Sequence, residues 1–151
     1  PDRIRRSIAG VAPGLPVGLA VYHACGLREL GGSARFSVDA LRGRRVLAVS
    51  GIANPEAFHR TLAGTGAIVR KRVVFPDHHP FAVGDCRRVG EAAAAAEAEW
   101  IVTTEKDAVR LPRDWQPGRP VLAVEIAMRI TEGVDMMAAV LGVPAETLAR
   151  G

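Results

Sequence analysis

The sequence predicts an α/β domain with a mainly parallel sheet and helices on both faces. Three observations predict it. From residue 45 short apolar runs alternate with helix-forming segments in the order β-α-β-α-β-α-β-α. The runs Arg45–Val49, Trp100–Thr103 and Val121–Val124 are nearly continuous in apolar residues, as strands buried on both faces are. Polar clusters then recur just after three of the strands, at Ser50–Asn54, Asp77–His79 and Thr103–Asp107. In parallel sheets ligands bind beyond the carboxyl ends of the strands, so these clusters are expected to converge on one edge.

Residues 1–44 are expected to form a lead-in and a β-hairpin linker, and residues 45–151 the α/β domain. Residues 1–16 are basic and rich in Gly and Pro, which suggests irregular structure or the end of a preceding element. Val17–Cys25 alternates loosely, Gly31-Gly32 supplies a turn, and Ala34–Val38 is the return strand of a hairpin. After the Arg45–Val49 strand, Asn54 is a good N-cap, Pro55 suits the first helical position, and Glu56 suits the positive end of the helix dipole. Ala67–Phe75 is a second strand, half apolar and half basic. Asp85–Trp100 reads as a helix through its Ala92–Ala96 run. Thr104 and Asp107 have the spacing of a capping pair for a short helix through Leu111. Val134–Leu141 is the last helix. No internal repeat appears.

The composition bounds the function. With 151 residues, 48% hydrophobic and 24% charged, the chain can bury one core. No apolar run reaches the roughly 20 residues that cross a bilayer, and there is no signal-peptide pattern. The start at Pro1, without an initiator Met, suggests a boundary inside a longer protein. Cys25 and Cys86 make no disulfide framework and fit a reducing compartment. The net charge is +4, and 18 of the 20 basic residues are Arg. The clusters Arg3/Arg5/Arg6, Arg42/Arg44/Arg45, Arg70/Lys71/Arg72 and Arg87/Arg88 are either solvated faces or contacts to anionic partners such as a membrane surface or a phosphorylated substrate. Aromatics are 5% and do not interleave with the basic clusters, which argues against nucleic acid.

Phe75-Pro76-Asp77-His78-His79-Pro80-Phe81 carries the clearest chemistry. Each X-Pro step favours extended or turn geometry, so the segment reads as a rigid loop. Asp77 can hold an imidazole in one tautomer, and a neutral histidine can then accept a proton. A solvated surface turn is the plainer alternative. Ser50-Gly51-Ile52-Ala53-Asn54 places Gly51 and a helix N-terminus where an anion could approach, or is simply a capped turn. In Thr103-Thr104-Glu105-Lys106-Asp107, Lys106 lies in the first helical turn, where its charge opposes the dipole. It either pairs with a phosphate or with Asp77, or is balanced by Glu105 and Asp107. His23 and His59 are expected to be structural or solvated. No metal site is expected, because Cys86 and two histidines have no standard ligand spacing. Neither lysine follows a glycine, so the chain has no P-loop.

Three motifs in order, Ser50–Phe58, Phe75–His79 and Thr103–Leu111, resemble the tetraacyldisaccharide 4'-kinase family of lipid A biosynthesis, over roughly residues 17–141. Arg110 replaces a usual Lys, and His59 replaces a frequent Phe. The resemblance implies a carboxy-terminal fragment, half of a P-loop-kinase-like or Rossmann-like fold, although G-x-G-x-x-G is absent from the first turn. It implies a lipid kinase that moves the γ-phosphoryl group of ATP to the 4'-hydroxyl of a tetraacyldisaccharide 1-phosphate. ATP and Mg²⁺ would bind in the full-length enzyme, on an amino-terminal P-loop domain, and not tightly to this chain, which alone would be inactive. The hairpin at 17–38 would be all or part of the linker between the halves. His78 or His79, with Asp77, would act beside a carboxylate of the other half as the base at the sugar hydroxyl. Ser50, Gly51, Asn54, Thr103, Thr104, Glu105, Lys106 and Asp107 would bind substrate or phosphate, or face the other half. The implied place is the cytoplasmic face of the bacterial inner membrane, held peripherally. Two other readings are weighed: a metal-dependent phosphoesterase of the Asp-His-His type, which would need more Asp or His ligands, and a non-catalytic nucleotide- or partner-binding module.

Overall fold

A computed structural model describes residues 2–149. The chain divides into two compact units, residues 24–126 and residues 1–23 with 127–151. Two long strands, β1 (Leu19–Glu29) and β6 (Val121–Glu132), contribute residues to both.

The unit of residues 24–126 carries most of a six-stranded sheet ordered β2-β1-β6-β5-β3-β4, with β2 at Arg35–Phe36, β3 at Arg45–Ser50, β4 at Ile68–Val74 and β5 at Trp100–Thr104. β4, β3, β5 and β6 pair in parallel. β2 pairs antiparallel with β1 through Leu27↔Phe36 and Arg28↔Arg35. The expected hairpin is therefore present. Its first strand continues to Glu29, four residues beyond the expected end at Cys25, and its return strand is only two residues long.

Side-chain alternation divides the core between the two sheet faces. Leu47, Val49, Ile101 and Val121 pack with Phe75, Phe81 and with Cys86, Val89 and Ala93 of α3 (Val83–Ala95). Val46, Ala48, Val102, Leu122 and Val124 pack with Leu27, with Leu41 and with Phe58 and Leu62 of α2 (Pro55–Gly64). Helices thus cover both faces, and the central strands carry apolar runs where both their faces are buried. β4 lies at the sheet edge with Arg70, Lys71 and Arg72 exposed. Such charges discourage pairing with another chain. α3 begins two residues earlier than expected and ends at Ala95, so Trp100 belongs to β5. The short helix α4 spans Glu105–Ala108 and stops before Leu111.

In the other unit the basic lead-in carries a helix, α1 (Asp2–Val11), where irregular structure or the end of a preceding element is expected. Ile4, Ile8 and Val11 recur at helical spacing, the pattern that carries an amphipathic helix. The Arg5 guanidinium pairs with Glu132. α5 (Val134–Leu141) matches its expected range and is followed by α6 (Ala145–Ala149). Ala138 is the only buried hydrophobic residue of this unit among the described residues, while Ile4, Val11, Leu15, Tyr22, Met128 and Val140 are exposed. No helix among the described residues is long and apolar enough to cross a membrane.

Candidate functional site

The three polar clusters meet at the carboxyl ends of β3, β4 and β5, within the unit of residues 24–126. Their meeting point is the backbone of Gly51. Its N–H donates to Asp107 Oδ2 at 3.0 Å, and its carbonyl accepts from the His78 N–H at 3.1 Å and from Arg110 Nη2 at 3.3 Å. A Cβ at this position would lie 3.3 Å from each of Asp107 Oδ1, Phe81 Cζ and the Pro76 carbonyl oxygen. A side chain here would have to push those neighbours back by a few tenths of an ångström.

Asp107 is fully buried. Its Oδ2 also accepts from Thr104 Oγ1 at 2.8 Å, and its Oδ1 accepts from Arg110 Nη2 at 2.9 Å. Thr104 Oγ1 in turn caps α4 by accepting from the Asp107 N–H at 3.1 Å, so the expected capping pair is present. Buried carboxylates persist where hydrogen bonds and a counter-charge replace water, and Asp107 has both. Thr104, Asp107, Arg110 and Gly51 thus form a latch fastening the end of β3 to α4. Arg110, left out of the candidate set, is integral to it.

The other members of the set have different fates. Ser50 and Thr103 are fully buried, with hydroxyls that have no hydrogen-bond partner among the described residues. Asn54 is exposed and caps α2, its Oδ1 accepting from the Ala57 N–H at 3.1 Å. Glu105 Oε2 accepts from the Ile126 N–H at 3.2 Å. Lys106 is exposed and forms no ion pair with Asp77 or any other carboxylate among the described residues.

The Asp-His-His loop separates its two histidines sharply. His78 is 86% exposed and has φ +59°. That left-handed conformation costs a non-glycine residue about 1 kcal/mol. It is held because the His78 N–H is bonded to the Gly51 carbonyl and lies 3.0 Å from Asp77 Oδ1. Asp77 does not grip an imidazole: its Oδ2 is 3.8 Å from His78 Nε2, beyond hydrogen-bond range.

The carboxylate that does grip an imidazole is Asp85. His79 Nε2 lies 2.8 Å from Asp85 Oδ2. Since a carboxylate only accepts, Nε2 carries the proton. The His79 ring stacks on Phe75 at 4.6 Å and meets Phe81 edge-on at 5.2 Å. Asp85 Oδ2 also accepts from the Ala82 N–H at 3.0 Å, closing the first turn of α3, and Oδ1 accepts from Arg88. The bond from His79, with those from Ala82 and Arg88, holds the Asp85 carboxyl at about 2, below its ordinary 3.8. The sequence signal for this role was an acidic residue at the third position of a helix, six residues after a histidine.

His59 is buried on α2 with neither ring nitrogen hydrogen-bonded among the described residues, Nδ1 lying 3.5 Å from Glu56 Oε1, and is part of the packing. Cys86 is buried in the α3 core, and burial raises its thiol above the usual range, which opposes thiolate chemistry. Among the described residues no three His, Cys, Asp or Glu gather where they could hold one metal ion.

The family model described as tetraacyldisaccharide-1-P 4'-kinase matches residues 17–142. The tetraacyldisaccharide 4'-kinase of Anaeromyxobacter dehalogenans is 44% identical over 117 residues, covering 76% of this chain and 30% of that protein. The same-named protein of Methylobacterium radiotolerans is 44% identical over 117 residues, covering 78% and 33%. The chain thus spans about a third of the length of these curated relatives. Among solved structures, LpxK from Aquifex aeolicus in complex with ATP is similar, with TM-score 0.54 and 22% identity over 93% of this chain and 44% of that one. That likeness shows a shared fold. With the family model covering most of its length, the chain belongs to the tetraacyldisaccharide-1-P 4'-kinase family.

Proposed function

We propose that this chain is the carboxy-terminal part of a lipid A 4'-kinase, which transfers the γ-phosphoryl group of ATP to the 4'-hydroxyl of a tetraacyldisaccharide 1-phosphate. The observation that carries the reading is that the family's match runs through all three strand-end motifs, with an exposed histidine at their meeting point. The residues present do not fit a nucleotide–metal site: the sequence has no P-loop, and the described residues offer no cluster of metal ligands. In this reading ATP and Mg²⁺ are held by an amino-terminal P-loop domain, and the chain alone does not turn over. The exposed apolar residues Ile4, Tyr22 and Val140 are consistent with a partner domain. The Arg-rich composition suits an anionic precursor at the cytoplasmic face of the inner membrane.

Of the two histidines we assign the base to His78. His79 is committed to Asp85 and enclosed by two phenyl rings, whereas the His78 imidazole is free to meet a hydroxyl. As the 4'-oxygen bonds to the γ-phosphorus and the bond from that phosphorus to the β,γ-bridging oxygen breaks to release ADP, the imidazole accepts the hydroxyl proton and nearby Asp77 offsets the resulting positive charge. Lys106, unpaired and at the same sheet edge, is the group we assign to phosphate. Ser50, Gly51, Thr103, Thr104 and Asp107 shape that edge, and Asn54 and Glu105 line it or face the other half.

The test is kinase turnover by a full-length protein carrying this chain. His78→Ala is expected to lower kcat by about 10²–10⁴-fold with ATP affinity intact, as for a lost general base. Near-normal turnover would sink the assignment.

A further inference from the structure

Asp85 lies outside the three motifs and His79 is not the residue assigned as base, yet together they determine where the loop can go. Three attachments hold it. The Gly51 carbonyl ties the His78 backbone to β3. The Phe75 ring at the end of β4 lies under the His79 ring. Asp85, in the first turn of α3, binds His79 Nε2. The third attachment is the one made by side chains through a hydrogen bond. It joins the loop to a helix whose Cys86, Val89 and Ala93 are locked in the core. Because His78 and His79 are adjacent, fixing the His79 ring fixes the peptide that orients His78.

We propose that His79 and Asp85 are positioning residues, a clamp that holds His78 in its left-handed conformation ready for the acceptor hydroxyl. The inference rests on the reading of His78 as the base. A base displaced by about 1 Å can cost as much as about 10²-fold in rate, so a clamp of this kind acts on kcat rather than on substrate affinity. Asp85 also accepts from Arg88, at Oδ1, while the His79 imidazole is bonded at Oδ2.

The test has two arms. In a full-length protein, His79→Phe keeps a ring against Phe75 but removes the donor to Asp85. It is expected to lower kcat about tenfold or more, with KM for both substrates unchanged and the pH–rate profile keeping its shape. His79→Gln, whose amide can still donate to Asp85, is expected to recover much of the loss. Asp85→Asn, which can accept from His79 and the Ala82 N–H, is expected to fall between wild type and Asp85→Ala. Wild-type kcat in both His79→Phe and Asp85→Ala, with His78→Ala inactive, overturns the clamp and spares the base. An inactive His79→Phe beside an active His78→Ala makes His79 the base and overturns both. The second arm needs no activity: ¹⁵N imidazole spectra of this chain. The clamp predicts a single Nε2–H tautomer for neutral His79 that is lost in Asp85→Ala. An averaging His79 ring in the wild-type chain refutes the clamp even if no substrate is turned over.

Discussion

The latch and the loop share one glycine but treat their polar groups oppositely. In the latch, the Asp107 carboxylate is fully buried and both its oxygens accept hydrogen bonds, from Gly51, Thr104 and Arg110. In the loop, His78 stands in solvent with a strained backbone and no hydrogen bond to its ring among the described residues. A saturated buried network stabilises and specifies a fold. A strained, exposed group held by its surroundings is what a reaction requires. Both clusters look equally chemical in sequence, and the structure separates them by burial.

That contrast breaks if the two respond alike to mutation. The largest expected effect is kinetic, the loss of about 10²–10⁴-fold in kcat for His78→Ala. The same substitution should leave stability within about 0.5 kcal/mol, as for an exposed side chain. Asp107→Ala should do the reverse and destabilise the isolated chain by about 3–5 kcal/mol. It leaves the Gly51 N–H without its acceptor and the Arg110 guanidinium without its counter-charge. Urea denaturation measures it. A loss below about 1 kcal/mol would mean the latch holds nothing. Gly51→Ala comes next, at about 1–3 kcal/mol. The three atoms at 3.3 Å include a backbone carbonyl and the ring of a buried phenylalanine, neither of which yields easily.

The same division decides what was legible in the sequence. The central strands were, because runs such as Val46-Leu47-Ala48-Val49 suit only a sheet covered on both faces. The Asn54-Pro55 helix start and the Thr104–Asp107 cap were legible because capping is local chemistry. The convergence at the sheet edge followed from strand order. What escaped was long-range or masked by composition. β6 continues to Glu132 through the alternating Glu125–Glu132 segment, whose residues are mostly exposed. α1 is hidden by its arginines. The partner of a histidine was assigned to the nearest carboxylate in sequence, Asp77. The fold instead brings Asp85 to His79 by turning through Pro80 into α3.

Asp85 extends the comparison to pH. Its carboxyl is held at about 2 against an ordinary 3.8, chiefly by the hydrogen bond to His79. A folded-state value below the unfolded one adds stability above the unfolded value, and the gain is lost as pH falls towards the folded one. The wild-type chain should therefore melt higher than Asp85→Asn at pH 6, with the gap closing between about pH 4 and pH 2. A gap that persists at pH 2 would show that the charge of Asp85 contributes nothing.

The smallest effect is the most discriminating. At φ +59° His78 is strained, and glycine would adopt that conformation without a Cβ penalty. Against this, glycine loses more backbone entropy on folding, which cancels part of the gain. His78→Gly should therefore be slightly stabilising, by about 0.5 kcal/mol, while removing the imidazole we assign as the base. A small rise in the unfolding midpoint of the chain, together with lost turnover in the full-length protein, marks a residue retained for chemistry at the expense of the fold. A fall in the midpoint would instead place the His78 side chain among the groups that hold the loop together, and the distinction between loop and latch would dissolve.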